Sequence, residues 1–247
     1  LVWAKSSGGT KVYSVAVDSS GNVYTTGAFE GTADFDPGAG TTNLTSTGAR
    51  DVFVLKLDSS GDLVWAKNFG GTSSEEGFSV AVDSSGNVYT TGVFRDTADF
   101  DPGAGTTNLT SNGGTDVFVS KLDSSGDLVW AKNFGGTSSE EGISVAVDSS
   151  GNVYTTGWFG STGDFDPGAG TTNLTMNGGW DVFVLKLDSS GNLAWARSFG
   201  GSSNSGEFGN SVAVDSSGNV YTTGSFSGTA DFDPGAGTTN LTPHGSK

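Results

Sequence analysis

The sequence repeats one acidic pattern that could bind a metal ion, an Asp-x-Asp pair followed by Pro-Gly. Its first occurrence is Asp34 and Asp36, and its copies are Asp99 and Asp101, Asp164 and Asp166, and Asp231 and Asp233. In an extended segment the side chains of residues i and i+2 point the same way, about 7 Å apart. Calcium takes roughly six to eight oxygen ligands, so each pair needs backbone carbonyls or a side chain such as Asn43 to complete a site. The pattern predicts either a calcium site or a structural turn in which Phe35 anchors the loop between two solvated aspartates.

Two tryptophans are candidate ligand-binding residues because they break the repeat. Trp158 and Trp180 stand where the other copies carry Ala28, Val93 or Ser225, and Ala49-Arg50 or Gly114-Thr115. Aromatic side chains at variable positions near loops can stack on sugar rings, which predicts a glycan- or protein-binding role. The other four tryptophans hold one repeat position and are predicted to pack between repeats: Trp3, Trp65, Trp130 and Trp195.

Nucleophilic catalysis is disfavoured by composition. The chain has no cysteine, and its one histidine is His244, so a Ser-His-Asp or Cys-His nucleophile and a multi-histidine metal site are not expected. A pair of carboxylates acting as acid and base stays open, and an acid outside the repeat pattern, such as Glu207, is the candidate for it. The expectation is that the protein is not an enzyme.

The elements that must position these residues come from a hairpin that occurs four times. Ser14–Gly27 returns as Ser79–Gly92, Ser144–Gly157 and Ser211–Gly224, and its turn aspartate recurs at intervals of 65, 65 and 67 residues. Valine, tyrosine and threonine favour strands, and the Asp-Ser-Ser-Gly-Asn turn between them suits a tight hairpin. A fixed period of this length is typical of repeat architectures.

A second hairpin completes the repeat. Asp51–Asp58 and Leu63–Phe69 are strand-like and are joined by another Asp-Ser-Ser-Gly turn. Each repeat therefore has four main antiparallel strands, and no helical periodicity appears. Four strands per repeat predict an all-β fold, a β-propeller. A β-solenoid is the alternative, although its repeats are usually shorter.

The motifs SVAVDSSGNVYTTG and DVFVLKLDSSGDLVWAKNFGG resemble the bacterial SBBP β-propeller repeat family and are similar to NHL-type blades. The insert DFDPGAGTTNLTS resembles a version found in large secreted or surface proteins of bacteria. By this resemblance Val15–Asp18 is the innermost strand of a blade, Val23–Phe29 the second, Asp51–Asp58 the third and Leu63–Phe69 the outermost. It also implies a secreted or cell-surface location.

The repeats divide the chain into one predicted propeller over residues 1–247, with approximate units at 6–70, 71–135, 136–201 and 202–247. Residues 1–5 are predicted to close the last blade as an outer strand. The third strand occurs only three times, so the last blade is incomplete. Either the chain is a piece of a longer array, or another chain or Thr238–Thr242 fills the gap. Because an unpaired edge is a template for another strand, we expect self-association through this blade.

Net charge and hydropathy limit the kinds of partner that the chain is expected to bind. A charge of −16 disfavours nucleic acid and anionic membrane surfaces, and no apolar run approaches the ~18 residues of a membrane helix. The predicted function is a structural or binding module that recognises proteins or glycans. The alternatives are a calcium-dependent, lectin-like glycan-binding protein and, less favoured, a hydrolase or lyase in the central channel.

Overall fold

The computed structural model describes residues 3–6, 8–202, 204 and 206–243, and all regular structure in these ranges is β-strand. Residues Leu1 and Val2 of the predicted closing strand, and His244, lie outside the described residues. Trp3–Lys5 belong to no strand, so the closing role of residues 1–5 stays a prediction.

Twenty strands form four repeat units. Unit 1 contains β1 (Thr10–Val17), β2 (Val23–Phe29), β3 (Thr32–Asp34), β4 (Asn43–Thr45), β5 (Asp51–Leu57) and β6 (Leu63–Gly71). Unit 2 contains β7 (Glu76–Val82), β8 (Val88–Asp99), β9 (Asn108–Leu122) and β10 (Leu128–Gly136). Unit 3 contains β11 (Glu140–Val147), β12 (Val153–Phe159), β13 (Gly163–Asp164), β14 (Asn173–Leu174), β15 (Asp181–Leu187) and β16 (Leu193–Gly201). Unit 4 contains β17 (Phe208–Val214), β18 (Val220–Ser225), β19 (Ala230–Asp231) and β20 (Asn240–Leu241).

The predicted hairpin turns form because aspartate organises the backbone around it. Asp18 Oδ1 accepts hydrogen bonds from the backbone N–H groups of Ser20 and Asn22, both at 2.9 Å. Gly21 adopts φ +82°, a left-handed conformation that glycine takes at little cost. The Tyr24 hydroxyl donates to Asp18 Oδ2 at 3.0 Å. The same arrangement recurs in all four units, which confirms the hairpin assignment.

Within units 1 to 3 the main strands pair antiparallel in chain order. The order is β1-β2-β5-β6, then β7-β8-β9-β10, then β11-β12-β15-β16, whereas unit 4 contributes the pair β17-β18. The acidic insert forms a short hairpin between the second and third strands, as β3-β4 in unit 1. The all-β, antiparallel architecture of the prediction is confirmed.

The insert hairpin also connects consecutive units. Gly70 at the end of β6 pairs with Asp99 of the unit 2 insert. Gly135 pairs with Asp164 and Gly200 pairs with Asp231 in the same way. Each unit is therefore held to the preceding one by backbone hydrogen bonds as well as by side-chain packing.

The units pack face to face through their first strands, β1 on β7, β7 on β11 and β11 on β17. Ser14 Oγ accepts the Val80 N–H at 3.2 Å across the first of these contacts. Three of the four repeated tryptophans reach the following unit, as predicted. Trp65 Nε1 donates to the carbonyl oxygen of Ser124 at 3.1 Å, and Trp3 and Trp130 make the equivalent bonds.

The outward faces of the two end units are not covered. Val15 on β1 is 62% exposed, whereas its counterpart Val80 is 5% exposed. Tyr221 on β18 is 58% exposed, whereas its counterpart Tyr24 is fully buried. The remaining counterparts are also buried: Val145, Val212, Tyr89 and Tyr154. Units 1 and 4 therefore do not cover each other, and each presents apolar side chains.

Candidate functional site

The Asp-x-Asp loops are organised by their own hydrogen bonds. Asp34 Oδ1 accepts the backbone N–H groups of Asp36 at 3.0 Å and Thr42 at 2.8 Å, and these two bonds lower the pKa of Asp34. Asp36 Oδ1 accepts the Gly38 N–H at 2.7 Å. The other three pairs make the same contacts: Asp99 and Asp101, Asp164 and Asp166, and Asp231 and Asp233.

Between the two aspartates, Phe35 is fully buried and packs on Phe29 and Phe53, with ring centroids 5.2 and 5.1 Å away. The predicted anchor role of Phe35 is confirmed. In the described ranges, no three Asp, Glu, His or Cys side chains form a group that could hold a metal ion. The loop contacts account for the geometry that recurs in the four inserts. Calcium binding there stays a prediction.

A row of variable side chains follows the junctions between units. Three positions make the row. The first is on the second strand of a unit, the second is the residue immediately before Asp51 or its equivalents Asp116 and Asp181, and the third is at the start of the next unit's first strand. Junction 1 carries Ala28, Arg50 and Glu76; junction 2 carries Val93, Thr115 and Glu141; junction 3 carries Trp158, Trp180 and Phe208. We call these nine residues the junction row. It is where otherwise near-identical repeats differ in chemistry.

At junction 1 the row is ionic. The Arg50 guanidinium forms an ion pair with Glu76, and the Tyr13 hydroxyl donates to Glu76 Oε2 at 2.8 Å. An open cavity next to this pair is lined by side chains of junctions 1 and 2, including Arg95 and Glu141.

At junction 3 the row is aromatic. The Trp158 and Trp180 rings lie 5.2 Å apart, and Phe208 lies 6.1 Å from Trp158 and 5.6 Å from Trp180. Trp180 is 44% exposed. Burial raises the pKa of Glu141, and a hydrogen bond from Trp158 opposes that rise. The structure therefore brings the two predicted tryptophans together on a half-open surface beside a carboxylate.

Phe208 was missed by sequence reasoning, although a signal for it exists. It pairs with Ser225 in the register where Glu76 pairs with Val93 and Glu141 with Trp158. Phenylalanine thus replaces glutamate at a repeat position. The longer loop before unit 4 hides this correspondence in the linear sequence.

Buried acidic pairs are the second feature that sequence reasoning missed. Asp51 and Glu75 are 1% and 0% exposed. The equivalent pairs at the next two junctions, Asp116 with Glu140 and Asp181 with Glu207, are equally buried. The expectation that Glu207 stands outside the repeat pattern is wrong, because it occupies the position of Glu75 and Glu140.

Burial makes these carboxyl groups weak acids. Burial raises the pKa of Glu75 to about 7, and the nearby Asp51 adds to the rise. Burial likewise raises the pKa of Asp116 to about 7, where Glu140 adds to it, and the pKa of Asp181 to about 6. Without compensation, ionising both members of a pair at neutral pH costs free energy.

Comparison with known proteins identifies the repeat. The SBBP β-propeller repeat matches residues 6–28, 129–166 and 194–231. These three matches show that the chain contains SBBP-type β-propeller repeats, in agreement with its antiparallel four-strand units.

Two curated proteins are similar over long stretches. Regulatory protein FlaEY of Caulobacter vibrioides is 32% identical over 161 residues, which is 64% of this chain and 16% of that protein. An uncharacterized WD repeat-containing protein of Acanthamoeba polyphaga mimivirus is 25% identical over 279 aligned positions, covering 99% of this chain and 20% of that protein. The chain thus spans a fifth or less of the length of these relatives.

Among solved structures, a protein of unknown function from Bacteroides caccae is 13% identical, with 76% of this chain and 82% of that chain covered and a TM-score of 0.26. A likeness at that score carries no structural argument. Across the described residues, the structure contains no helix with the length and apolar character needed to span a membrane.

Proposed function

We propose that this chain is a protein-interaction module in which four propeller blades, the last incomplete, form an open arc. The observation that carries the proposal is the junction row. Repeats that are nearly identical elsewhere present an ion pair at junction 1 and a cluster of three aromatic rings at junction 3. Tryptophan and arginine are enriched among residues that dominate binding energy at protein interfaces.

The relatives support an interaction role in general terms. One is named a regulatory protein and the other a WD repeat-containing protein. A propeller fold by itself does not define a function, so the proposal rests on the row. A lectin-like role for the same surface is the second candidate, because the half-exposed Trp180 ring lies beside Glu141 and Trp158, and a sugar could stack on it.

The proposed function is not catalytic. Each buried Asp–Glu pair is 2% exposed or less, so a substrate could not reach these carboxylates without opening a junction. The location we propose is extracellular or on the bacterial surface, supported by the resemblance of the acidic insert to those of secreted bacterial proteins. Fractionation of a bacterium that carries the gene, followed by immunodetection, tests this location.

The binding proposal is tested by two screens of the full chain, one against a displayed random-peptide library and one against a glycan array. We expect selected peptides to bind wild type and to lose at least tenfold affinity in Trp180→Thr, which installs the residue that unit 2 carries. The matched control, Val64→Thr on the exposed outer strand, should bind like wild type. Glycan binding that depends on Trp180 would favour the lectin role, and binding unaffected by Trp180→Thr would contradict both.

Self-association is the second function that we propose, through the end faces. Val15 and Tyr221 are exposed where their counterparts in the other units are buried. The face of unit 1 therefore matches the faces that units 2 to 4 present to their preceding unit, and the occupant that fits it is unit 4 of a second copy. In that arrangement Ser211 of one copy would accept the Val15 N–H of the next, as Ser14 accepts the Val80 N–H.

A further inference from the structure

Each junction between units buries one aspartate and one glutamate against a glycine. At junction 2 Asp116 lies within β9, where it pairs with Phe94 of β8. Glu140 begins β11, and Gly135 lies near the end of β10. A Cβ added to Gly135 would lie 2.7 Å from Asp116 Oδ1 and 2.8 Å from Glu140 Oε2. The two carboxylates therefore converge on the one backbone position that has no side chain.

The same geometry occurs at junction 1, and its aspartate half occurs at junction 3. A Cβ on Gly70 would lie 2.7 Å from both Asp51 Oδ1 and Glu75 Oε2. A Cβ on Gly200 would lie 2.2 Å from Asp181 Oδ1. Junctions 1 and 2 thus carry one arrangement, whereas at junction 3 the three atoms nearest the added Cβ all belong to Asp181.

Nothing charged in the described ranges balances these groups. The ion pairs found there join Lys5 to Asp62, Arg50 to Glu76 and Lys67 to Asp127, and none includes a buried carboxylate. An uncompensated buried charge is costly, and native proteins pair such charges or use them to bind metals. A facing pair of carboxylates without a basic partner is therefore neutralised either by a shared proton or by an added cation.

Individual oxygen atoms point to the same conclusion. Asp116 Oδ1 and Asp181 Oδ1 are buried and have no hydrogen-bond partner, whereas the Oδ2 atoms of both accept backbone N–H groups at 3.1 and 3.0 Å. Asp116 Oδ1 is the oxygen of its carboxylate that lies nearest Gly135, whereas both oxygens of Asp181 lie close to Gly200. In the Asp-x-Asp loops, by contrast, the Oδ1 atoms of both aspartates accept backbone donors.

We infer that each buried Asp–Glu pair binds a hard divalent cation, Ca²⁺ or Mg²⁺, which joins two consecutive units. Two carboxylates supply a charge that matches the ion, and such ions prefer oxygen ligands. At junction 2 the Ser161 hydroxyl, which donates to Glu140 Oε1 at 3.3 Å, is a further oxygen atom beside the pair, and water would complete the coordination. Because the ligands come from both sides of a junction, bound metal stabilises the contact between units.

The test is metal content and thermal stability of the full chain after chelation and dialysis against Ca²⁺ or, in parallel, Mg²⁺. We expect about three ions per chain, one per junction, and a rise in Tm with the bound ion. Asp116→Asn should remove one ion, and the matched variant Asp101→Asn in the neighbouring loop should remove none. The ion that gives the larger Tm rise identifies the physiological metal class.

Three outcomes would overturn the inference: no stoichiometric binding of either ion, an unchanged ion count in Asp116→Asn, or a loss of ions in Asp101→Asn instead. The last result would place the metal in the loops. If Asp116→Asn does not fold, Tb³⁺ replaces the variant as a probe. Trp180 precedes Asp181, so tryptophan-sensitised Tb³⁺ emission should fall strongly in Trp180→Thr while the number of bound ions stays the same. Emission that is insensitive to Trp180→Thr would contradict a site at junction 3.

Discussion

Ser14 Oγ accepts a hydrogen bond from the backbone N–H of Val80 at 3.2 Å, and this bond joins the first strands of two consecutive units. Ser79 with Val145 and Ser144 with Val212 repeat it at the same length. The serine at this repeat position therefore accepts the same hydrogen bond at each of the three junctions. The same contact recurs from each unit to the next, so a unit added at either end would find the same partners.

The first prediction concerns self-association of the chain. Val15→Glu places a charge on the exposed face of unit 1, and burying that charge in a contact between copies would be costly. We expect the association constant measured by sedimentation velocity to fall at least tenfold. Val64→Glu is the matched control, since Val64 is 49% exposed on an outer strand, and it should associate like wild type. A wild-type chain that remains monomeric at high concentration would rule out this proposal.

The second prediction concerns the anchor of the acidic insert. Phe100 is fully buried, and its ring contacts Phe69, Phe94 and Phe118 at 5.3, 5.3 and 5.0 Å. Phe100→Ala should lower the free energy of unfolding by about 3–5 kcal/mol, measured by urea denaturation. A loss below about 1 kcal/mol would show that the insert does not contribute to the core.

The third prediction concerns pH in the presence of EDTA. Glu75, Asp116 and Asp181 have folded pKa values raised to about 7, 7 and 6, with burial as the main cause. A carboxyl group whose pKa is raised on folding contributes stability at low pH and loses it as pH rises through the folded value. Between about pH 4 and 7, from the unfolded pKa values to the folded ones, we therefore expect Tm to fall as pH rises.

Carboxyl groups whose pKa is lowered on folding have the opposite effect on stability, and they act in a lower pH range. The backbone and side chain of Asn192 lower the pKa of Asp188, so its contribution is present above the unfolded pKa and is lost as pH falls through the folded one. This part of the profile lies below about pH 4. Asp116→Asn should flatten only the part between about pH 4 and 7, and an unchanged slope there would contradict the assignment.

The fourth prediction concerns the glycine that faces a carboxylate pair. Gly135→Ala would place Cβ 2.6 Å from Asp116 Cγ, so both carboxylates must shift in a packed interior. We expect a loss of at least about 1–3 kcal/mol, as for other overpacked sites. Gly103→Ala is the control, because its Cβ would contact only the Asp101 side chain at 3.0 Å on the surface. Equal unfolding midpoints for the two variants would argue against convergence at Gly135.

Sequence reasoning recovered the all-β, antiparallel repeat units because local and repeated signals agree. Asp18 and Gly21 define a turn through contacts within five residues, and that turn recurs in each unit. The role of Phe35 was likewise readable from its place between two polar residues. The faces that the end units expose were not readable, because exposure of Val15 depends on which neighbour packs over it.

The buried acidic pairs escaped prediction for a different reason. Asp51 and Glu75 meet only after a strand, a turn and a second strand have returned the chain to the junction. The loop before unit 4 is longer than the equivalent loops. Counting residues forward from the preceding unit therefore places Glu207 outside the repeat pattern. A comparison made backward from the following Gly-x-Ser of the first strand would have aligned Glu207 with Glu75 and Glu140.

The pairing of Gly70 with Asp99, and of its two equivalents, has a mechanical consequence. A pulling force applied to the two ends of the chain would act on these short backbone pairings and break them one junction at a time. Each ruptured junction would release a unit of about 65 residues, or roughly 230 Å of extended chain. The chain would then lengthen in nearly equal steps, one for each junction that breaks.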